Sequence, residues 1–511
     1  MIRTPHVDWF ALSPELALLG AGGIALMAAV LVPRSIRKPL AAIVCALGFL
    51  GAIVLAAILY SHSADAHGVI SDALRRDRFA ALAQIIVAGA GLLAVGVSYS
   101  ERTRGTHVAE YYALLAAAGA GMTFFVGANN LMTLFLSLEW FSISLYVLCA
   151  IDVEVEGSLE AGLKYLIVGG FGSAILLFGS ALVYGATGEL QLDRIASAVS
   201  AQHLSHDALL VVGIAMLLVG LGFKASAAPF HMWTPDVYQG APTPVTAFMS
   251  AATKVVALVV TLRVLATAFP QEARLWTIAV AAIACASLAI GNLAALVQRN
   301  VKRMLAYSSV SHAGFMLIAV AAHNALGARA LLYYLIPYSA MSLGSFAVVA
   351  ARERELQRAV TLDNLAGFGW ERPLLGIAMW TFMLGFAGLP LTGGFVGKFY
   401  VFSAAYRHGW TWLVIVGVVA TAVSLYYYLG VVRAMYMRRP EELQLAFETD
   451  AGAKPPHPPS DAASVVAGGS PPPERLLQSA VIAALVVTVG SFFAVQPLID
   501  VAKRAANALP L

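Results

Sequence analysis

Five ionisable residues stand in stretches that are otherwise hydrocarbon: Glu139 in LFLSLEWFSISL, Lys224 in GFKASAAPF, Lys254 in SAATKVVAL, His312 in AYSSVSHAGF and Lys398 in GGFVGKFYVF. Lys164, in EAGLKYLIVGG, is shallower, about a turn and a half inside its run. A charge at mid-bilayer costs roughly 2.5–3.5 kcal/mol on insertion scales, so such residues are normally paired, hydrated or functional. Lysine suits a proton relay. Its solution pKa is about 10.4, too high for ready release at neutral pH. Desolvation lowers it and a nearby carboxylate raises it. A buried amine with a movable acid therefore has a loaded state and a releasing one. Glu139 is the deep carboxylate that can play this part for Lys224. A three-unit swing is worth about 4 kcal/mol, comparable to moving one charge through about 180 mV.

Each of these residues also has a structural reading. Glu139 can be half of an ion pair locking two helices, and the lysines can snorkel or glue helices together. His312 follows Tyr307, Ser308, Ser309 and Ser311, a polar surface that can carry water or simply hydrogen-bond a packed imidazole. Lys164 stands four residues after Glu160, the spacing of a helical salt bridge. His231 reads as a cap, and Arg263 and Glu110 as structural charges nearer the membrane edge. Both readings remain open at this point.

The elements that must position these groups are membrane helices. Of 511 residues 60% are apolar and only 12% charged, and the mean hydropathy is +0.79. That composition implies an all-α polytopic membrane protein. Apolar windows of roughly twenty residues recur about fourteen times. They fall near 13–33, 39–60, 78–99, 107–128, 130–152, 158–187, 206–238, 241–268, 274–298, 303–322, 327–351, 373–406, 409–437 and 475–496. Spans seven and twelve are too long for one straight crossing. Span seven contains Pro229 and Pro235, and span twelve contains GLPLTGGFVGKF with Pro390, Gly393 and Gly394. Proline removes an amide donor, and paired glycines lower the cost of unwinding. Opened backbone survives in a membrane only where protein or water satisfies it. The breaks lie five spans apart, an odd number, so the units carrying them run in opposite directions. The pattern predicts two inverted five-helix repeats, spans 4–8 and 9–13, with a site near the midplane.

The predicted division is 1–104 for three leading spans, 105–270 and 271–440 for the two repeats, 441–475 for a Pro-rich disordered cytoplasmic linker, and 476–511 for the last span. Basic loops such as RSIRK, ERTR, QRNVKR and ARERELQR favour an outward amino end, by about seventeen Lys/Arg to about ten. Both termini are then periplasmic. The amino end lacks a signal-peptide cleavage pattern, so the first span is expected to stay.

Several functions are disfavoured. The formal charge of +4 forms no basic block, which argues against nucleic acid. Cys45, Cys149 and Cys285 stand singly in apolar runs, so no zinc or iron–sulfur ligand set is expected. No GxGxxG unit marks a dinucleotide site.

The stretches FKASAAPFHMWTPDVYQGAPTPVTAFMSAATK, NVKRMLAYSSVSHAGFM and GFAGLPLTGGFVGKFYVF resemble the antiporter-like membrane subunits of respiratory complex I. That fold is shared with Mrp-type cation/proton antiporters and membrane hydrogenases. The resemblance covers roughly residues 105–435. LKYLIVGGFGSAILLFGSALVYGATGEL and the lysine of GGFVGKF are similar to the subunit N branch, the counterpart of subunit 2. Subunit M generally carries glutamate at that last position. Subunit L continues into a long lateral helix, where this sequence stops at Leu511. The 441–476 stretch is longer and richer in proline than the family pattern.

The resemblance implies roles position by position. Glu139 matches the family's span-five glutamate and Lys224 its lysine partner. Lys254 and Lys398 match the span-eight and span-twelve lysines, Lys164 falls on a family lysine, and His312 lies where some members place a central histidine. It implies no cofactor on this chain, with NADH, FMN, iron–sulfur clusters and quinone on other subunits. Expected partners are membrane neighbours of the M, K, J, A and H type and the lipid of a bacterial inner membrane. Proton translocation coupled to redox chemistry elsewhere is the implied function. An Mrp-type cation/proton antiporter subunit without redox partners is the alternative, and a passive scaffold is a third.

Overall fold

The structure, a computed structural model, describes residues 7–62, 67–100, 107–438 and 474–511. The predicted linker lies outside the described residues up to 473. Helices account for nearly all of the rest. The leading three are α1 (Ser13–Leu31), α2 (Arg34–His62) and α3 (Arg78–Tyr99). Next come α4 (Val108–Gly127), α5 (Leu131–Cys149), α6 (Glu156–Thr187), the short α7 (Leu192–Ala201), α8 (Ala208–Lys224), α9 (Trp233–Gly240) and α10 (Thr243–Ala268). A second series holds α11 (Ala273–Leu296), α12 (Val301–Ala321), α13 (Ala325–Leu356), the one-turn α14 (Phe368–Glu371), α15 (Pro373–Ala387), α16 (Gly393–Arg407) and α17 (Thr411–Met437). The chain closes with α18 (Arg475–Phe493) and α19 (Val495–Ala506).

Twelve of these helices are long and apolar enough to cross a membrane, and α8 and α15 are shorter apolar helices. The latter two are the first halves of the predicted broken spans. α8 stops at Lys224 and the chain resumes helix at Trp233; α15 stops at Ala387 and resumes at Gly393. Each break is the fourth member of a series of five crossings. Pro229 and Pro390 lie in the gaps, where a missing amide donor has no helix to interrupt. Gly388 adopts φ +77°, a left-handed terminus that closes α15. Gly393 and Gly394 open α16 instead of lying in the gap.

Hydropathy windows do not reveal the smaller elements. An antiparallel hairpin, β1 (His67–Val69) with β2 (Leu74–Arg76), precedes α3 and adds a strand pair to the helices. α7 and α19 are amphipathic and too polar for a span.

Every residue of α10 is buried, nearly every residue of α12 and most of α13. An all-round apolar helix needs such a place at the centre. α10 packs on α3, α12, α13, α4 and α8, so Lys254 stands at the middle of the molecule. α6 and α8 meet through small residues: a Cβ added at Gly220 would lie 2.5 Å from the Leu176 Cβ. α1, α2, α6, α17 and α18 leave broad apolar faces outward, as lipid or a neighbouring subunit requires.

Candidate functional site

The first break is built around two lysines. Lys224 is the last residue of α8 and almost fully buried. Its Nζ donates to Ser142 Oγ at 2.6 Å and to Tyr165 Oη at 3.1 Å, and lies 4.7 Å from the Phe141 ring centre. Tyr165 is held by stacking on Trp233, with centroids 4.6 Å apart, while Trp233 Nε1 donates to the Phe223 carbonyl. Ser142 stands three residues after Glu139 on α5, so both share a face. Among the described residues no ion pair within 4.0 Å joins Glu139 to Lys224, and Glu139 Oε1 is buried without a hydrogen-bond partner. Hydroxyls therefore hold the amine, and one oxygen of the acid is left without a hydrogen bond.

Where α8 ends, its last carbonyls lose their helical donors. Lys254, on α10 and fully buried, donates from Nζ to one of them, Ala225 O, at 2.5 Å. A cation is favoured at a helix carboxyl end by the backbone dipoles. The same segment contains Ser226 Oγ and His231 Nδ1, both buried without partners, and the Ala228 amide, which donates to Ser287 Oγ.

The second break repeats the device with a different donor. Lys398, on α16, reaches back across its own gap to Phe386 O at 2.8 Å and Ala387 O at 3.3 Å. Its Nζ lies 4.3 Å from the Phe315 ring centre. Between the breaks lies a hydroxyl cluster. His312 hydrogen-bonds Tyr334 Oη through Nδ1 at 2.8 Å and Tyr428 Oη through Nε2 at 3.0 Å. Tyr428 meets Ser308, and Tyr338 donates to Ser309 Oγ. Ser342 donates to Ser250 Oγ on α10, four residues before Lys254. The cavity at Ser308, Ser309, Tyr338 and Ser342 has no room for the centre of a water molecule.

Lys164 stands apart. Half-exposed on α6, it pairs with Glu160 at 2.6 Å and with Asp236 at 3.0 Å, and Arg303 donates to the other Asp236 oxygen at 2.6 Å. Pro229, Pro390, Gly393 and Gly394 shape backbone and touch none of these amines through a polar group.

Sequence reasoning missed Ser142, Tyr165, Tyr334 and Tyr428, whose hydroxyls hydrogen-bond the buried nitrogens. It also missed Lys302, counted with a basic loop. That residue is buried, and its Nζ donates to Ala241 O and Thr243 Oγ1, both at 2.9 Å, just beyond α9. A third helix end is thus met by a lysine. A lysine beside an apolar run was the available signal.

Residues 128–424 match the family described as NADH:quinone oxidoreductase/Mrp antiporter, transmembrane. The chain is 41% identical over 431 residues to NADH-quinone oxidoreductase subunit N of Trichlorobacter lovleyi, covering 84% of this chain and 88% of that one. A chain of respiratory complex I from Thermus thermophilus superposes with a TM-score of 0.76 at 32% identity, over 95% of this chain and 98% of that one. A chain of the Mrp complex from a Dietzia species gives a TM-score of 0.82 at 23% identity, over 98% and 97%, a likeness of fold alone. The backbone is thus common to both branches, and the residues separate them. The chain belongs to the NADH:quinone oxidoreductase/Mrp antiporter family of membrane proteins, in its NADH-quinone oxidoreductase subunit N branch.

Proposed function

We propose that this chain translocates protons as a membrane subunit of NADH-quinone oxidoreductase, with Glu139, Lys224, Lys254 and Lys398 as the relay. The observation that carries the reading is the pairing of buried lysines with helix breaks. Lys254 and Lys398 each satisfy carbonyls that a broken helix frees, and Lys224 ends the broken helix itself beside Glu139. Bringing the Glu139 carboxylate to Lys224 stabilises the ammonium; drawing it away leaves a desolvated amine that gives its proton up. Ser142 and Tyr165 are the acceptors already in place. From the α10 level, the Ser250–Ser342 and Tyr338–Ser309 hydroxyls lead to His312, and Tyr334 and Tyr428 flank it on the way to Lys398. Lys164 and His312 are second-tier members.

The rest of the proposal follows the same reading. Residues 1–104 form a leading unit, 105–270 and 271–440 two inverted repeats, and 476–511 a closing one. Both termini face the periplasm. NADH, FMN, iron–sulfur clusters and quinone belong to other subunits, and the membrane neighbours are of the M, K, J, A and H type. The antiporter alternative is weaker, because it rests on fold at 23% identity whereas the redox branch stands at 41%.

The test is Lys224→Ala and Glu139→Ala in the assembled complex, with flavin and iron–sulfur content checked. Pumping per NADH oxidised should collapse while both cofactor contents stay normal. Undiminished pumping in both variants would sink the relay.

A further inference from the structure

A buried acid lies outside the relay, in the leading three helices. Glu15, in the first turn of α1, is 3% exposed. Gln84 of α3 donates from Nε2 to its Oε1 at 2.7 Å and to the Thr123 carbonyl of α4 at 3.4 Å. Its other oxygen, Oε2, is buried with no hydrogen-bond partner. Helix dipoles favour an acid in a first turn, but that accounts for neither the burial nor the orphaned oxygen.

Glu15 lines a cavity with Gln84, Asp77, Arg75 and Arg76, beneath the β1–β2 hairpin. It offers about 20 Å³ to the centre of a water molecule, and one buried water needs roughly 10–15 Å³. A carboxyl oxygen without a protein partner is the kind of group such a water serves. The surrounding charges are partly matched. Arg263 of α10 donates from Nη2 to both Asp77 oxygens, at 2.7 and 2.9 Å, while its Nε and Nη1 are buried without partners. Arg75 lies 3.7 Å from Asp77, and Arg76 pairs with Asp8, as does His67 at 3.6 Å. With two guanidiniums and two carboxylates, the wall is close to charge-balanced, and the exchangeable species its orphaned carboxyl oxygen can serve is a proton.

The cavity sits on the face where α1 begins. α3 also starts there, and α10 ends there five residues after Arg263. Glu139 lies eight residues into α5, roughly 12 Å along that helix from its Leu131 start. α4 packs directly on α5, with Phe124 stacked on Trp140 and Phe125 against Phe141. Gln84 and Thr123 therefore join Glu15 to the helix that backs the Glu139 segment.

We propose that Glu15, with Gln84 as its hydrogen-bond donor, is a proton-exchange site serving the N-terminal face through water in this cavity. This deepens the proton-translocating reading and rests on it. In the exchange the Oε2–H bond breaks and the proton passes to a cavity water. The carboxylate left behind keeps the Gln84 donor, and reprotonation from water reverses the step.

The test uses the intact complex. Infrared difference spectra should show a protonated-carboxyl C=O band that shifts on transfer to D2O and vanishes in Glu15→Gln. That variant should at least halve the protons pumped per NADH oxidised. Absence of the band, or its survival in Glu15→Gln, overturns the inference, as does unchanged pumping. If Glu15→Gln does not assemble, Gln84→Leu serves: loss of the donor to Oε1 should raise the band's frequency, and an unmoved band overturns the assignment. Lys224→Ala separates the two proposals. Lost pumping there with intact pumping in Glu15→Gln removes only this site, whereas intact pumping in both removes the relay as well.

Discussion

The two helix breaks solve one problem with different means. Each ends an apolar helix inside the protein and must satisfy carbonyls that no longer have donors. At the first break the donor, Lys254, comes from the following span, and the helix-terminal residue is itself a lysine beside an acid. At the second break the donor, Lys398, comes from the continuation of the same span, and among the described residues no ion pair engages it. The first break is therefore wired to four other helices, α5 through Ser142, α6 through Tyr165, α10 through Lys254 and α11 through Ser287. The second is closed largely on itself. A displacement of α5 or α10 acts on the first directly and reaches the second only through the His312 cluster. In the proposed relay, this asymmetry makes the first break the entry point for an outside push and the second the place that holds a proton.

The largest expected effect tests that division. Lys224→Ala removes the amine of the proposed relay, and its pumping rate should fall by about 100-fold or more, the scale of losing a positioned acid–base group. Proton flux in reconstituted vesicles measures it. Breaking Arg263→Leu should cost stability instead of mechanism. It removes the nearest cation from buried Asp77, leaving Arg75 at 3.7 Å and the Ala80 amide, and losing one partner of a buried pair costs about 3–5 kcal/mol. Thermal unfolding of the purified complex reads that loss. Lys398→Met and Lys254→Met sharpen the contrast. The first orphans two carbonyls, Phe386 O and Ala387 O, and the second one, Ala225 O. At about 1–3 kcal/mol for each unpaired buried group, Lys398→Met should lower the unfolding temperature more.

Much of this was legible in the sequence, and the missing part has a physical reason. Spans of twenty apolar residues announce themselves, and 78–99 matches α3 to the residue. Both breaks were visible because proline and paired glycine have few uses within a straight span. Buried charges were visible because lipid makes them expensive, which singled out Glu139 and the three deep lysines. What a lysine donates to was not legible. The acceptors Ala225 O, Phe386 O and Ala387 O are backbone atoms, identical in every residue, and only the fold aims them. Tyr165, Tyr334 and Tyr428 pass for core aromatics until their hydroxyls have directions. Glu15 was overlooked because a carboxyl two residues from a helix start looks solvated, and it is the hairpin and α3 that cover it. The short α7 and α19 escape a hydropathy window because only one face of each is apolar.

The smallest effect compares the backbones of the breaks themselves. The first contains one residue at positive φ, Ser226 at +56°, and the second contains two, Gly388 at +77° and Leu391 at +71°. A left-handed conformation costs an L residue about 1–2 kcal/mol and glycine nothing comparable. Ser226→Gly should therefore relieve the first break by about 1 kcal/mol, less whatever the freer unfolded chain takes back. Gly388→Ala should cost the second break at least as much, because its new Cβ would also fall 2.8 Å from Lys398 Cδ. The pair of variants, read by thermal unfolding, should move in opposite directions. If the first break is the one that flexes during turnover, Ser226→Gly should also change the pumping rate in proportion to that relief, while proton flux in Gly388→Ala should follow the disturbance of Lys398. Equal responses at both breaks would mean that the asymmetry in their donors has no mechanical consequence.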